Sequence, residues 1–274
     1  MEYRREGLYR IADRVIRIES LYGAVHDLCA DYRCAEQVKA VDQIDFEVVI
    51  RQSDIELERG KSAREDAIEG RPVRDFPEDY LETLAVYRKI AERMPDYDTF
   101  LFHGSCVAVD GEGYLFTAKS GTGKSTHTGL WRELFGNRAV MVNDDKPLIR
   151  ICDQGSFDEG TGALVYGTPW DGKHRLSTNS CVPLRAICLL ERAGRNGKNE
   201  IREITMAEAL PMLLQQAYRP AAPAGLRRTL ELIGKLGKDE MPREECEKGG
   251  MRFYRMRCNM EIEAAEMAYK AAQR

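Results

Sequence analysis

Apolar residues along this chain repeat with two periods, and the period changes from segment to segment. Residues 8–18 carry Ile11, Val15, Ile16 and Ile18 and predict two short strands. Ser20 then stands where a helix cap would, with Leu21, Val25, Leu28, Cys29 and Tyr32 on one helical face. Residues 46–50 predict another strand, and Ser53-Asp54-Ile55-Glu56 reads as a capping box opening a charged helix. Residues 59–76 are polar, contain Gly60, Gly70 and Pro72, and predict a loop. Tyr80, Leu84, Tyr87, Ala91 and Met94 return at helical spacing until Pro95 stops them.

A second block begins near Thr99. Residues 100–109 are strand-like, and Asp110 to Gly113 is a tight turn that folds this strand back on 114–118 as a hairpin. Leu130, Trp131, Leu134 and Phe135 mark a helix from Ser125, stopped by Gly136-Asn137. Further strands are predicted at 139–142, 148–152, 163–166, 182–190 and 251–257. Thr205-Met206-Ala207-Glu208 is a second capping box, and it heads a helix carrying Leu210, Leu213, Leu214 and Ala217. Leu226, Leu230 and Ile233 mark another helix, and 262–269 a closing one. The pattern predicts an α/β (α+β) chain in two parts, an α+β lobe over 1–98 and a core over 99–274.

Composition narrows the partners. A length of 274 residues is ample for one large domain or for a core plus a smaller lobe. The net charge is −4 and basic residues are spread along the chain, so neither nucleic acid nor an anionic membrane is expected as a partner. The first residues, Met-Glu-Tyr-Arg-Arg-Glu, lack an apolar signal core, and no apolar run approaches a membrane span. The eight cysteines form no Cys-x-x-Cys pair, and only four histidines could join them, which argues against zinc. Reduced thiols in the cytoplasm are the expectation.

The chemistry concentrates in Ala118, Lys119, Ser120, Gly121, Thr122, Gly123, Lys124, Ser125 and Thr126. A triphosphate is a dense anion, and a loop whose N–H groups point inward neutralises it without spending side chains. Gly121 and Gly123 allow the required backbone angles. A helix starting near Lys124 adds its positive end. Lys124 would reach the β- and γ-phosphates, and the Ser125 hydroxyl would hold Mg²⁺. Ala118 stands where the strict G-x-x-x-x-G-K-[ST] motif has its first glycine. A strand before the loop and a helix after it give the context this motif needs, so a nucleotide is the expected ligand.

Asp144 and Asp145 follow the next apolar strand. A carboxylate at such a strand end binds Mg²⁺, and a second one beside it takes the proton of an attacking hydroxyl. His103 lies on the strand before the loop, where a structural and an active-site role are both open. Residues 166–175 pack Trp170, Asp171, Lys173, His174 and Arg175 together with two glycines. Their donors suit an anionic substrate, so they are candidates for the acceptor side.

His103-Gly104, the SGTGKS loop and Asp144-Asp145 occur in the order and spacing of a known group. The chain resembles the C-terminal domain of HPr kinase/phosphorylase and, more distantly, the nucleotide-binding core of phosphoenolpyruvate carboxykinase, as a bacterial branch of that superfamily. The resemblance covers about residues 99–190. It implies a carboxykinase-like P-loop core with mixed, largely antiparallel sheets flanked by helices. It also implies ATP over residues 118–125, Lys124 as a catalytic group, Ser125 and Asp144 on Mg²⁺, Asp145 as proton acceptor and His103 near the phosphates. One departure is that the stretch matching the family's metal-binding glutamate, Leu164 to Gly167, has no carboxylate. No segment matches the family's phosphorylase region. The reading is ATP- and Mg²⁺-dependent phosphoryl transfer to a hydroxyl of a protein or small molecule. A non-catalytic nucleotide-binding regulator and a small carboxykinase-like lyase are the alternatives. The resemblance leaves room for a homo-oligomer.

Overall fold

The computed structural model describes residues 4–34, 44–152, 162–172, 174–194, 197–237 and 251–273. Two compact units make up the chain, Met1–Arg93 and Met94–Arg274. Among the described residues no helix is long and apolar enough to cross a membrane.

In the first unit β1 (Arg5–Ile11) and β2 (Arg14–Ser20) form an antiparallel hairpin, and β3 (Phe46–Val49) joins β2 in parallel. Helix α1 (Ala24–Leu28) begins after Gly23, not after Ser20. Ser20 is committed elsewhere: its Oγ donates to the Tyr22 carbonyl at 2.7 Å and meets His26 Nε2 at 2.8 Å. Helix α2 (Gln52–Ile68) starts one box earlier than the sequence suggests, with the Asp54 carboxylate accepting from the Arg51 N–H at 3.0 Å. It also runs through residues 59–68, where a loop is expected. Gly60 costs a helix only about 1 kcal/mol. Partners on α3 (Glu78–Arg93) offset that: Arg88 pairs with Glu58 at 2.5 Å, and Lys89 with Asp54 at 2.6 Å. Local sequence does not reveal such partners.

The second unit opens with β4 (Thr99–Leu101), β5 (Ser105–Val109) and β6 (Glu112–Thr117). Next come α4 (Lys124–Phe135), β7 (Ala139–Asn143), β8 (Leu148–Ile151), β9 (Ala163–Tyr166), β10 (Cys181–Arg192) and β11 (Glu200–Ile204). Helices α5 (Met206–Gln216) and α6 (Pro223–Lys235), strand β12 (Arg252–Cys258) and helix α7 (Ile262–Ala272) complete it. Among the described residues the sheet has nine strands, in the order β4-β8-β9-β10-β6-β5-β7, with β12 on β10 and β11 on β12. Only β10 with β6 and β10 with β12 pair in parallel; the other pairs are antiparallel. This is a mixed α/β architecture with helices flanking the sheet, as the pattern predicts.

Residues 100–109 are not one strand. Phe102 donates its N–H to the Pro147 carbonyl at 3.0 Å, His103 to Gln216 at 2.9 Å and Gly104 to Asp145 at 3.1 Å. These bonds pull the chain out of the ladder between β4 and β5, and His103 sits in the break.

Alternation along the strands builds two cores. Cys106, Leu115, Ile187 and Leu189 face one side with α5 and α6. Val107, Tyr114, Phe116 and Cys188 face the other, with α4 and α7. Trp131 of α4 is fully buried at the centre of the second core. Its ring lies 4.8 Å from Tyr114, 5.3 Å from Phe116 and 5.8 Å from Tyr269 of α7, centroid to centroid. It pins the helix that follows the glycine-rich loop against the sheet. Trp131→Ala should therefore lower unfolding free energy by about 3–5 kcal/mol, read as a shifted denaturation midpoint by circular dichroism. A loss below about 1 kcal/mol would contradict this packing role.

Candidate functional site

Strand β6 delivers the loop. At its end the Thr117 hydroxyl donates to the His103 carbonyl at 3.1 Å. Ala118 is buried and has no left-handed backbone, so a methyl group fits where the strict motif has glycine. Gly121 and Gly123 have φ of 76° and 119°, a region that other residues rarely adopt. Helix α4 starts at the next residue, so its first N–H groups and its positive end face the loop. The Lys124 side chain is buried beneath, and Nζ donates to the Ala118 carbonyl at 3.3 Å. Burial pushes its ammonium below the ordinary lysine value, with the charges of Asp145 and Asp144 opposing that shift. From outside, Arg192 at the end of β10 holds the loop. Its Nε donates to the Thr122 carbonyl at 3.0 Å, and its guanidinium also donates to the Gly121 carbonyl.

Strand β7 delivers the acidic pair. Asn143 organises it: Oδ1 accepts from the Asp145 N–H at 2.9 Å and the Lys146 N–H at 2.5 Å. Its Nδ2 donates to the Thr168 carbonyl at 3.2 Å. Asp144 is buried and accepts from Ser105 Oγ at 2.8 Å. Ser105 meets Thr128 Oγ1 at 3.0 Å, and Thr128 bonds back to the Lys124 and Ser125 carbonyls at 3.4 and 3.3 Å. A chain of hydroxyls thus ties Asp144 to the first turn of α4. The segment after β9 closes over the same carboxylate. A Cβ on Gly172 would lie 2.6 Å from Asp144 Oδ2.

A buried carboxylate calls for a cation. Among the described residues no three His, Cys, Asp or Glu side chains cluster to hold a metal alone. Magnesium carried by a triphosphate does not need such a cage. It takes phosphate oxygens, water and one or two protein oxygens, which Asp144 and Ser125 would supply.

Asp145 stands on the solvent side of the pair. Its Oδ1 lies 3.3 Å from His103 Nε2, and its Oδ2 lies 3.7 Å from Lys146 Nζ. Burial raises its pKa, but the His103 hydrogen bond and the charges of Lys146, His103 and Lys124 outweigh that and hold the carboxyl below the ordinary aspartate value.

The structure brings His103, the 118–126 loop, Asp144 and Asp145 to one edge of the sheet. Trp170 is buried nearby, its carbonyl 3.4 Å from Asn143 Nδ2. Asp171 is committed to the local turn, accepting from the Ser177 N–H at 3.2 Å. His174 and Arg175 stand exposed beyond Gly172, and Lys173 lies outside the described residues. Sequence reasoning passes over Ser105, Thr128, Asn143 and Arg192. Asn143 directly before the acidic pair was the one local signal, because Asn accepts backbone N–H groups in such turns. The others act through contacts between distant segments.

No family model matches the chain, and no curated protein matches it. Among solved structures it is similar to the HPr(Ser) kinase/phosphatase from Coxiella burnetii, at 16% identity over 50% of this chain and 90% of that chain, with a TM-score of 0.22. At that score the likeness is distant, and the site described above stands on its own geometry.

The depressed pKa of Asp145 has a defined sign. Its stabilising contribution is complete above the ordinary aspartate value, about 3.9, and is lost as pH falls through the lower folded value. The stability of the wild type should therefore fall more steeply than that of Asp145→Asn between about pH 5 and pH 2. Thermal unfolding of both proteins across that range reads the difference. Parallel profiles would remove the His103–Asp145 interaction from the account.

Proposed function

We propose that this chain is a nucleotide-dependent phosphotransferase, moving the γ-phosphoryl group of ATP or another nucleoside triphosphate to a hydroxyl of a protein or small molecule. One observation carries the reading. The glycine-rich loop with its buried lysine lies on the same sheet edge as a carboxylate that is ionised at neutral pH and within 3.3 Å of a histidine. Phosphoryl transfer needs these two services, charge neutralisation and proton acceptance. The order of His103, loop and acidic pair, shared with HPr kinases, supports the same reading.

The 118–126 backbone and Lys124 would hold the phosphates. Asp144 and Ser125 would hold magnesium, which would offset the charge of the phosphates. Asp145 accepts the proton of the acceptor hydroxyl as its oxygen bonds to the γ-phosphorus, and the bond from the γ-phosphorus to the bridging oxygen breaks to release the nucleoside diphosphate. His103 orients the carboxylate. Trp170, Asp171, His174 and Arg175 would form part of the acceptor side.

Diphosphate release from Mg-ATP, with and without cell extract, tests this. Asp145→Asn should lower extract-dependent turnover about 10²–10⁴-fold, and Lys124→Ala should lose stabilisation by ATP. Wild-type turnover no greater than that of Asp145→Asn would overturn the transferase reading. If ATP still stabilised Asp145→Asn but not Lys124→Ala, the result would favour a nucleotide-binding regulator. Oxaloacetate-dependent CO₂ release would favour a lyase.

A further inference from the structure

Asp145 has a neighbour that the transfer scheme above leaves unused. Lys146 follows it directly, and both of its backbone groups are tied into the site. Its N–H donates to Asn143 Oδ1 at 2.5 Å, and its carbonyl accepts from Thr168 Oγ1 at 2.8 Å. These bonds hold the residue at the sheet edge. The side chain is 29% exposed and sends Nζ to 3.7 Å from Asp145 Oδ2. His103 Nε2 lies at 3.3 Å from the other oxygen, Oδ1.

Two features separate this contact from an ordinary surface ion pair. At 3.7 Å the ammonium is beyond hydrogen-bond range, and among the described residues Nζ makes no hydrogen bond. An ammonium offers several donors, and a lysine of similar exposure elsewhere in the chain places them. Lys89, at 28% exposure, donates to the Val49 carbonyl at 2.8 Å and to Asp54 at 2.6 Å. The second feature is that Lys146 shares Asp145 with another cation. The buried Lys124 ammonium feels the charges of Asp145, Lys146 and Asp144. Like charges gathered at one carboxylate repel, and a further anion between them turns repulsion into attraction. Few protein carboxylates stand here to supply it or to recruit more metal. Among the described residues no three His, Cys, Asp or Glu side chains cluster. Just past the end of β9, Gly167 has no room for a side chain, because its Cβ would lie 1.8 Å from the Thr178 carbonyl oxygen.

We propose that Lys146 is a second phosphate-binding cation, its ammonium donating to the γ-phosphoryl oxygens while Lys124 holds the phosphates from the loop side. The inference rests on the transferase reading above and adds a residue that touches the transferred group. A hydroxyl poised on Asp145 puts the γ-phosphorus beside that carboxylate, where Lys146 Nζ already stands. A triphosphate carrying one magnesium remains strongly anionic, and its γ-oxygens carry charge through the transfer. Cations fixed around that charge stabilise it without reorganising at the moment of reaction. Arg192 is committed elsewhere, because it holds the Gly121 and Thr122 carbonyls. Partly exposed ion pairs are weak, so the Lys146 ammonium turns from carboxylate to phosphate at little cost.

Calorimetric titration with the magnesium complexes of ADP and β,γ-imido-ATP, and of their guanine counterparts, tests this. Lys146→Gln removes the charge from a partly exposed position and keeps both backbone bonds. It should weaken binding of the triphosphate analogue about tenfold or more. Diphosphate binding should stay unchanged, which also shows that the loop is still folded. Lys146→Arg keeps the charge and should retain most of the triphosphate affinity. Triphosphate binding unchanged in Lys146→Gln overturns the contact, even if turnover falls, because Lys146 would then act only through Asp145. Equal weakening of diphosphate and triphosphate also overturns it, as does a loss in Lys146→Arg as large as in Lys146→Gln. A wild type that binds the diphosphate but not the triphosphate analogue overturns it too. A wild type that binds neither removes the phosphate-loop reading itself.

Discussion

Strand β5 runs antiparallel between β6 and β7, and that direction decides which groups meet. Because β6 and β7 then point the same way, the loop after Thr117 and the acidic pair after Asn143 emerge at one edge. The start of β5 lies at the same edge, which puts Ser105 under Asp144 and His103 beside Asp145. Strand β10, parallel to β6, adds Arg192 on the far side. Chemistry from four separated stretches is collected by strand direction, at the carboxyl ends of β6, β7 and β10 and the start of β5.

The two aspartates differ because their surroundings differ. Asp144 is buried, tied by hydroxyls to the first turn of α4, and suited to a cation. Asp145 is partly exposed and partnered by His103 and Lys146, which keep it ionised. One neighbour is therefore fixed in place and the other is open to solvent. Asn143 fixes the turn that carries them, its Oδ1 accepting from the Asp145 and Lys146 N–H groups.

Much of this was legible from local pattern. The glycine-rich loop, the helix after it, the acidic pair and the strand alternation of β5 and β6 are short-range features with strong physical signatures. What escaped depends on contacts between distant segments. The break at Phe102–Gly104 is made by bonds to Pro147, Gln216 and Asp145, and the polar helix through residues 59–68 is held by α3. Ser20 looked like a helix cap but turns to Tyr22 and His26. Ala118, a departure from the strict motif, turns out to occupy ordinary backbone space.

The central claim is that the sheet edge transfers a phosphoryl group to a hydroxyl. Incubation with γ-labelled ATP and cell extract, followed by acid treatment, tests it most directly. The account predicts an acid-stable labelled phosphoester formed by the wild type and absent with Asp145→Asn. Label recovered only as inorganic phosphate, or the same labelled product from both proteins, would contradict it.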